Sequence, residues 1–327
     1  MLRLPTFTYH RPKTSDEAVA IAAAHGKDAM FVAGGTDLYP NMKRRQQTPR
    51  HVISLASIPE LRQVHGDPRT GMTLGAMVTL SEIEQAPVLR ASYSAVATAA
   101  GLVSTPLLRN MGTIGGNLLL DTRCNYYDQT YEWRESIHFC MKKDGDTCWV
   151  APGSPRCWAV QSSDSVPLLC AMDAEVTLVG KDGPRRIAVR DLYADDGIRY
   201  TKKHPGELLT KVHLPMVGEW RASYRKLRRR GTFDFPVLGV GVCVKLERGI
   251  VKEAKIRLGG AGSWAIPCLD AEKALIGKPL SKELCESAGQ LAFKPSKPMD
   301  NTDFEPQWRK KMVPIFVARA LQDCAGA

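Results

Sequence analysis

Four cysteines, Cys124, Cys140, Cys148 and Cys157, fall within 34 residues of a 327-residue chain, spaced C-x15-C-x7-C-x8-C. Thiolates are soft ligands that select zinc, copper(I) or iron–sulfur cores. The paired C-x2-4-C knuckles of structural zinc are absent, and so are the C-x2-C-x2-C runs of ferredoxins. Spacing alone therefore leaves iron–sulfur, zinc, and disulfides or free thiols all open. What favours a metal is the setting: an otherwise polar, loop-like segment with Gly145, Pro152, Gly153 and Pro155. Arg123, Lys142, Lys143 and Arg156 stand among the thiols, and positive charge is expected to lower their pKa and favour thiolate. Trp133, Trp149 and Trp158 are expected to shield the site from water.

Two glycine pairs precede or abut this segment. Ala33-Gly34-Gly35-Thr36-Asp37-Leu38 follows a short apolar stretch that reads as a buried strand over 29–33. Glycine permits positive φ and lets backbone N–H groups approach an anion, and Thr36 adds a hydroxyl. The same composition also suits a plain tight turn. It is neither a P-loop nor a G-x-G-x-x-G fingerprint, so a Rossmann assignment is unsupported. The second pair lies in Thr113-Ile114-Gly115-Gly116-Asn117. Two such loops from different subdomains can clamp a dinucleotide with a pyrophosphate and a long body, such as FAD.

The elements that must position these residues are legible in outline. Thr14 and Glu17 form a capping box for a helix ended by Gly26. Short strands are expected at 51–55 and 72–76. A second capping box, Thr79 with Glu82, opens a short helix, and Pro87 opens one longer helix to Ala100. Apolar strands are expected at 166–172, containing Cys170, and at 174–179, followed by the Lys181-Asp182-Gly183-Pro184 turn. Leu238, Val240, Val242, Val244 and Leu246 alternate with small or polar residues, which predicts a half-buried strand turning at Glu247-Arg248-Gly249 into an antiparallel partner. Helices are expected over 270–276, 281–291 and 307–322, the last interrupted by Pro314. Cys170 and Cys243 read as small core residues in strands.

The chain is long enough for two or three domains. It is 44% hydrophobic, and no apolar run reaches the roughly 18 residues of a membrane span. No apolar signal region opens the N-terminus, which gives an expectation of a cytoplasmic protein. The net charge is +11. Basic clusters at 43–45, 185–186, 228–230 and 309–311 suit solvated surface, an acidic partner or a phosphate-bearing cofactor. They are short, scattered and free of interleaved aromatics, which argues against nucleic acid.

The two glycine loops, Ser163-Asp164 before an apolar segment, and 224–230 before a glycine-rich strand together resemble the FAD-binding subunits of molybdenum hydroxylases, the xanthine and carbon monoxide dehydrogenase superfamily. The likeness runs over essentially the whole chain. Within the family, Asp121-Thr122-Arg123-Cys124, Cys140, Gly145-Asp146, Cys148 and Arg156-Cys157 resemble the medium subunits of 4-hydroxybenzoyl-CoA reductases, whose insertion holds a [4Fe–4S] cluster. The implied fold is α+β: FAD-binding subdomains over 1–57 and 58–217 (PCMH-type), an iron–sulfur insertion at about 122–158, and an α+β C-terminal domain over 218–327 with antiparallel sheet and helices. By the same resemblance, Ala33, Gly34, Gly35, Thr36, Asp37 and Leu38 bind the FAD pyrophosphate. Thr113, Ile114, Gly115, Gly116 and Asn117 hold its second side. Asp164 meets a ribityl or ribose hydroxyl, Lys226 meets the flavin region, and Cys124, Cys140, Cys148 and Cys157 ligate the cluster. No catalytic acid or base is implied on this chain. The implied assembly is a dimer of heterotrimers, with a molybdenum-cofactor large subunit and a small subunit carrying two [2Fe–2S] clusters. Ferredoxin would donate electrons for reductive dehydroxylation of 4-hydroxybenzoyl-CoA. The other readings are an FAD subunit of a molybdenum hydroxylase that oxidises an aromatic or heterocyclic substrate, and a zinc-stabilised flavoprotein without electron transfer.

Overall fold

The computed structural model describes residues 2–326 and holds three sheets. The first is parallel, ordered β1-β3-β2, from β1 (Thr8–His10), β2 (Ala29–Val32) and β3 (His51–Ser54). Strands β2 and β3 turn apolar residues to both faces, as a buried parallel sheet requires, while β1 is an exposed edge. Helix α1 (Ser15–His25) packs Ala18, Val19 and Ala22 on the face of Ile53, while α2 (Leu38–Lys43) packs Leu38 and Met42 on the face of Val32 and Val52. Thr14 caps α1 by accepting from Glu17 N, as its position promised.

The second sheet is antiparallel, ordered β4-β5-β8-β6-β7, from β4 (Val64–Asp67), β5 (Gly71–Gly75), β6 (Glu175–Gly180), β7 (Gly183–Ala188) and β8 (Leu208–Leu214). Helices α3 (Leu80–Gln85), α4 (Pro87–Ser92), α5 (Ser94–Gly101), α6 (Pro106–Arg109) and α7 (Ile114–Leu118) lie between β5 and β6 in sequence. The single long helix expected from Pro87 is two, because Tyr93 leaves helical geometry (φ −127, ψ 47) to send its ring into the core and its hydroxyl to Pro215 O. Within the cysteine segment the one α-helix is the short α8 (Tyr131–Ser136).

The apolar segment after Asp164 is a helix, α9 (Ser165–Ala171), and the expected strand there is overturned. Every residue of α9 is buried, so no polar face marked its period, and an unbroken apolar run reads alike for helix and strand. Cys170 is accordingly a helical core residue.

The third sheet is antiparallel, ordered β12-β11-β10-β9, from β9 (Trp220–Leu227), β10 (Leu238–Glu247), β11 (Ile250–Gly259) and β12 (Ile266–Pro267). Helices α10 (Leu269–Leu275), α11 (Lys282–Ala292) and α12 (Pro306–Ala325) cover the face of Leu238, Val240, Val242 and Val244. The other face of β10 is not solvated, contrary to the half-buried reading. Helix α9 lies on it, and a Cβ on Gly241 would stand 2.5 Å from Leu168 N. The small residues alternating with valine admit that helix backbone. Helix α12 runs unbroken through Pro314, where α11 packs so closely that a Cβ on Gly289 would meet Pro314 O at 2.4 Å. Tertiary packing here outweighs one missing hydrogen bond. No helix among the described residues is long and apolar enough to cross a membrane.

Candidate functional site

Strand β2 delivers the first glycine loop and α2 leads away from it. Gly35 has φ +73, a conformation glycine adopts at no steric cost. The N–H groups of Gly34, Gly35, Thr36 and Asp37 donate to no acceptor among the described residues. Four adjacent unspent donors make this a cradle that fits a pyrophosphate. Asp37 accepts from Asn41 Nδ2 at 3.0 Å and pairs with the Arg123 guanidinium. Burial raises the Asp37 pKa against the opposing pull of Arg123.

The second loop meets the first. A Cβ on Gly34 would fall 1.8 Å from Met111 O, so the 33–37 loop lies directly against the turn that enters Thr113. Thr113 Oγ1 accepts from Gly116 N at 3.1 Å, and Gly115 N and Ile114 N donate to Ala76 O and Val78 O. A Cβ on Gly116 would lie 3.8 Å from Ala33 Cβ. The structure thus brings 33–38 and 113–117 together on one surface.

Asn117, Asp164 and Lys226 lie behind that surface. Asn117 Oδ1 accepts from Ser163 Oγ at 2.6 Å and from Ser165 N at 3.3 Å, tying the second loop to the start of α9. Asp164 accepts from Tyr224 Oη at 2.7 Å and from Lys226 Nζ at 2.9 Å. The Asp164 and Lys226 side chains are 3% and 1% exposed. Burial raises the aspartate and lowers the lysine, and the charge of each opposes that shift in the other. Lys226 also donates to Leu102 O at 2.9 Å. The pair pins the C-terminal sheet to α5 and α9 beneath the loops.

The cysteine segment leaves the fold through a neck. Arg123 and Val160 exchange backbone hydrogen bonds of 2.8 and 2.7 Å, closing 124–159 as a loop. All four thiols are buried and line one small cavity together with Tyr127, Lys142 and Trp149. Four thiols around one cavity are a ligand set that suits zinc or an iron–sulfur core. None of the nine cysteines is in a disulfide.

The expected lowering of the thiol pKa is overturned. Burial pushes Cys124 up to about 12 and Cys157 to about 11. The arginines that adjoin them in sequence face elsewhere, Arg123 to Asp37 and Arg156 to Asp195 at 3.0 Å. Lys142 is the basic group that does face the cavity wall. It donates to Asp121 Oδ1, Thr122 Oγ1 and Gly197 O at 2.7–2.8 Å and lies 4.8 Å over the Tyr127 ring. Cys124 and Cys157, raised by burial with so little compensating charge, would become thiolates through a bound cation, not through their surroundings. The tryptophan screen is also only partly right: Trp149 lines the cavity, whereas Trp133 lies outside it, 39% exposed.

Sequence reasoning passed over the residues that join the two sites. Arg123 reaches Asp37 of the first loop and stacks 3.9 Å over Phe235, and its chain neighbour is Cys124. Cys124 also lines a second cleft with Arg123, Phe235 and Asp303. Gly197 backs Cys157, where a Cβ would stand 2.7 Å from its sulfur. Arg134 is fully buried and reaches Arg44 O and Arg45 O. None carries a spacing signal, because their partners are 40 to 112 residues away.

Residues 5–217 match the family described as "FAD binding domain in molybdopterin dehydrogenase", and 222–324 match the "CO dehydrogenase flavoprotein C-terminal domain". The carbon monoxide dehydrogenase medium chain of Afipia carboxidovorans is 29% identical over 318 residues, covering 97% of this chain and 96% of that one. The FAD-binding subunit of an aldehyde oxidoreductase of Escherichia coli is 29% identical over 286 residues, covering 82% and 86%. The crystal structure of a Cu,Mo carbon monoxide dehydrogenase superposes with a TM-score of 0.81 at 27% identity, covering 99% of both chains.

Proposed function

We propose that this chain, which belongs to the family of FAD-binding subunits of molybdopterin dehydrogenases, carries FAD and a [4Fe–4S] cluster and feeds electrons to a molybdenum enzyme that reductively dehydroxylates 4-hydroxybenzoyl-CoA. The net reaction, R–OH + 2e⁻ + 2H⁺ → R–H + H₂O, gives benzoyl-CoA and takes place on a partner. The partners are a large molybdenum-cofactor subunit and a small [2Fe–2S] subunit, in a dimer of heterotrimers, with ferredoxin as donor. The observation that carries this reading is the cavity lined by four thiols, one residue along the chain from an arginine that grips the first glycine loop. When bound, a flavin and a one-electron cluster supply the exchange between two-electron and one-electron carriers.

The chain's own residues bind and orient. The free N–H groups of 34–37 hold the FAD pyrophosphate, and Ala33, Thr36 and Leu38 shape the cradle. Thr113–Asn117 closes on the other side, kept in place by Ala76, Val78 and Ser163. Asp164 and Lys226 position β9 against the flavin region. Cys124, Cys140, Cys148 and Cys157 hold the cluster, and Lys142 fixes Asp121, Thr122 and Gly197 behind it. Arg123 joins the two cofactor sites. No side chain here acts as an acid or base.

The test uses the anaerobically purified complex, wild type against Cys140→Ser, with iron, sulfide, zinc and flavin measured per chain. Loss of about four iron and four sulfide with FAD retained is the expected result. Zinc in place of iron would sink the cluster reading. Activity with reduced ferredoxin and 4-hydroxybenzoyl-CoA, absent in the variant, tests the substrate. A second reading is favoured by the relatives, whose names include dehydrogenases of carbon monoxide and nicotine-derived substrates: an FAD subunit of an enzyme that oxidises an aromatic or heterocyclic compound. Substrate-driven bleaching of the flavin, with no turnover of 4-hydroxybenzoyl-CoA, would select it.

A further inference from the structure

Three histidines far apart in sequence meet at one edge of the parallel sheet. His10 closes β1 and His51 opens β3. The register pairs Thr8 with His51 and His10 with Ile53, so both rings rise from one face of the sheet. Helix α1 covers that face, and His25 is its last residue. One ring nitrogen from each histidine lies within 4.8 Å of the other two. His10 Nε2 and His51 Nδ1 are 2.9 Å apart and share a proton. His25 stacks on His51 with centroids 3.6 Å apart and planes 11° from parallel. All three rings are half-buried, within reach of ions in solvent.

We propose that His10, His25 and His51 form a binding site for one divalent transition-metal ion of the imidazole-preferring class, Zn²⁺ foremost, which clamps β1, α1 and β3 together. Zn–N bonds of 2.0–2.1 Å in a tetrahedron place nitrogens about 3.3 Å apart. The His10–His51 pair needs only a few tenths of an ångström of opening, and His25 must turn from its stack to bring its nitrogen in. The ring that donates in the His10–His51 hydrogen bond gives up that proton and takes one from solvent on its other nitrogen, so that both facing nitrogens present lone pairs and no net proton is lost. Three neutral imidazoles then bind the ion, and water completes the shell. Desolvation, reinforced by His25 and His10, holds His51 below the ordinary histidine range, so its lone pair is available near neutral pH. The Asp28 carboxylate opposes this shift and Arg50 adds to it.

The site stands apart from the flavin and cysteine sites. It occupies the N-terminal edge of β3, whereas the first glycine loop leaves the C-terminal end of the neighbouring parallel strand β2. It contains no thiol. Its occupancy would stiffen the sheet from which Gly34 and Gly35 project, without touching either cofactor.

The test uses the whole complex loaded with FAD and iron, so that the four cysteines are already engaged. Equilibrium dialysis against micromolar Zn²⁺ should leave one more zinc on each wild-type chain than on His10→Ala or His25→Ala. Loss of a ligand should weaken binding by at least about tenfold. Circular dichroism and FAD content should match across the three proteins. Unmutated protein gives a readout free of folding effects: zinc should protect His10, His25 and His51 together from diethyl pyrocarbonate, while the exposed His65 and His204 react as before. Equal zinc retention by wild type and both variants, no retention at micromolar zinc, or no joint protection would overturn the proposal.

Discussion

The C-terminal domain and the cysteine insertion solve the same problem of staying folded by opposite means. The sheet β9–β12 and helices α10–α12 bury twenty apolar residues in one cluster, most of them aliphatic. The buried cluster of the insertion has five residues, and three are thiols: Cys124, Cys140 and Cys157, with Tyr127 and Ala159. Hydrophobic burial suffices for the first and is too small for the second. The insertion also carries costs. His138, Phe139 and Asp144 sit at positive φ (59, 59 and 69), each strained by about 1 kcal/mol or more. Arg134 is buried with no hydrogen bond to Nε or Nη1, the latter only 3.6 Å from an Asp144 carboxylate oxygen. A segment with little core and stored strain needs an ordering force from outside the polypeptide, and the metal–thiolate bonds proposed above would supply one. A region rich in aromatics and cysteines need not be a hydrophobic core; it can be a shell awaiting its centre.

Breaking the C-terminal core should have the largest effect. Val242→Asp puts an unpaired carboxylate between β10 and the helices at a fully buried position. It should cost more than about 4 kcal/mol and leave little soluble protein, read as expression yield and melting temperature. A soluble variant melting within a few degrees of wild type would show that this core is not the main support.

Arg309→Met comes next. Arg309 donates to Val237 O, Met299 O and Gly260 O, at 3.2, 2.9 and 2.5 Å, and is 1% exposed. The sequence grouped it with surface basic residues, but it is an internal strut, its pKa lowered by burial to about 10. Methionine fills the space and removes one hydrogen bond from each carbonyl, of which Met299 O keeps the Asn301 N–H, a loss of roughly 3 kcal/mol in denaturant unfolding.

On the proposed cluster reading, treatment with an iron chelator should act on the other region alone. Amides in 122–158 should exchange hydrogen at least about tenfold faster, while those of β10 and β11 keep their protection. Equal acceleration in both regions would erase the contrast drawn here.

The smallest effect is expected outside both regions. Glu207 is desolvated, which raises its pKa, but hydrogen bonds from Arg185 and His204 outweigh this and hold it below its ordinary value. A depressed carboxylate contributes stability above its unfolded pKa and loses it as pH falls through the folded one. Glu207→Gln should therefore cost about 1 kcal/mol at pH 7 and nothing well below pH 4, measured by urea unfolding at the two pH values.

Local signals made part of this molecule legible. Caps at Thr14 and Thr79 marked true helix starts, because a cap needs residues only three apart, although only Thr79 completes its box and Glu17 turns to Lys13 N instead. The turn at 247–249 gave a true hairpin, since Arg248 and Gly249 supply the two positive φ values by themselves (50 and 79). The two glycine loops and the four clustered cysteines could be picked out for the same reason: their meaning lies in neighbouring residues. The sequence by itself determined which residues could do chemistry and where most elements begin and end. Only the tertiary structure decided that 165–171 is a helix, that β10 is buried on both faces, that burial raises Cys124 and Cys157 against their basic neighbours, that Arg123 ties the loop to the cysteines, and that three scattered histidines share one edge. Each of these depends on desolvation or contact between residues distant in the chain, and those energies do not exist until the chain has folded back on itself.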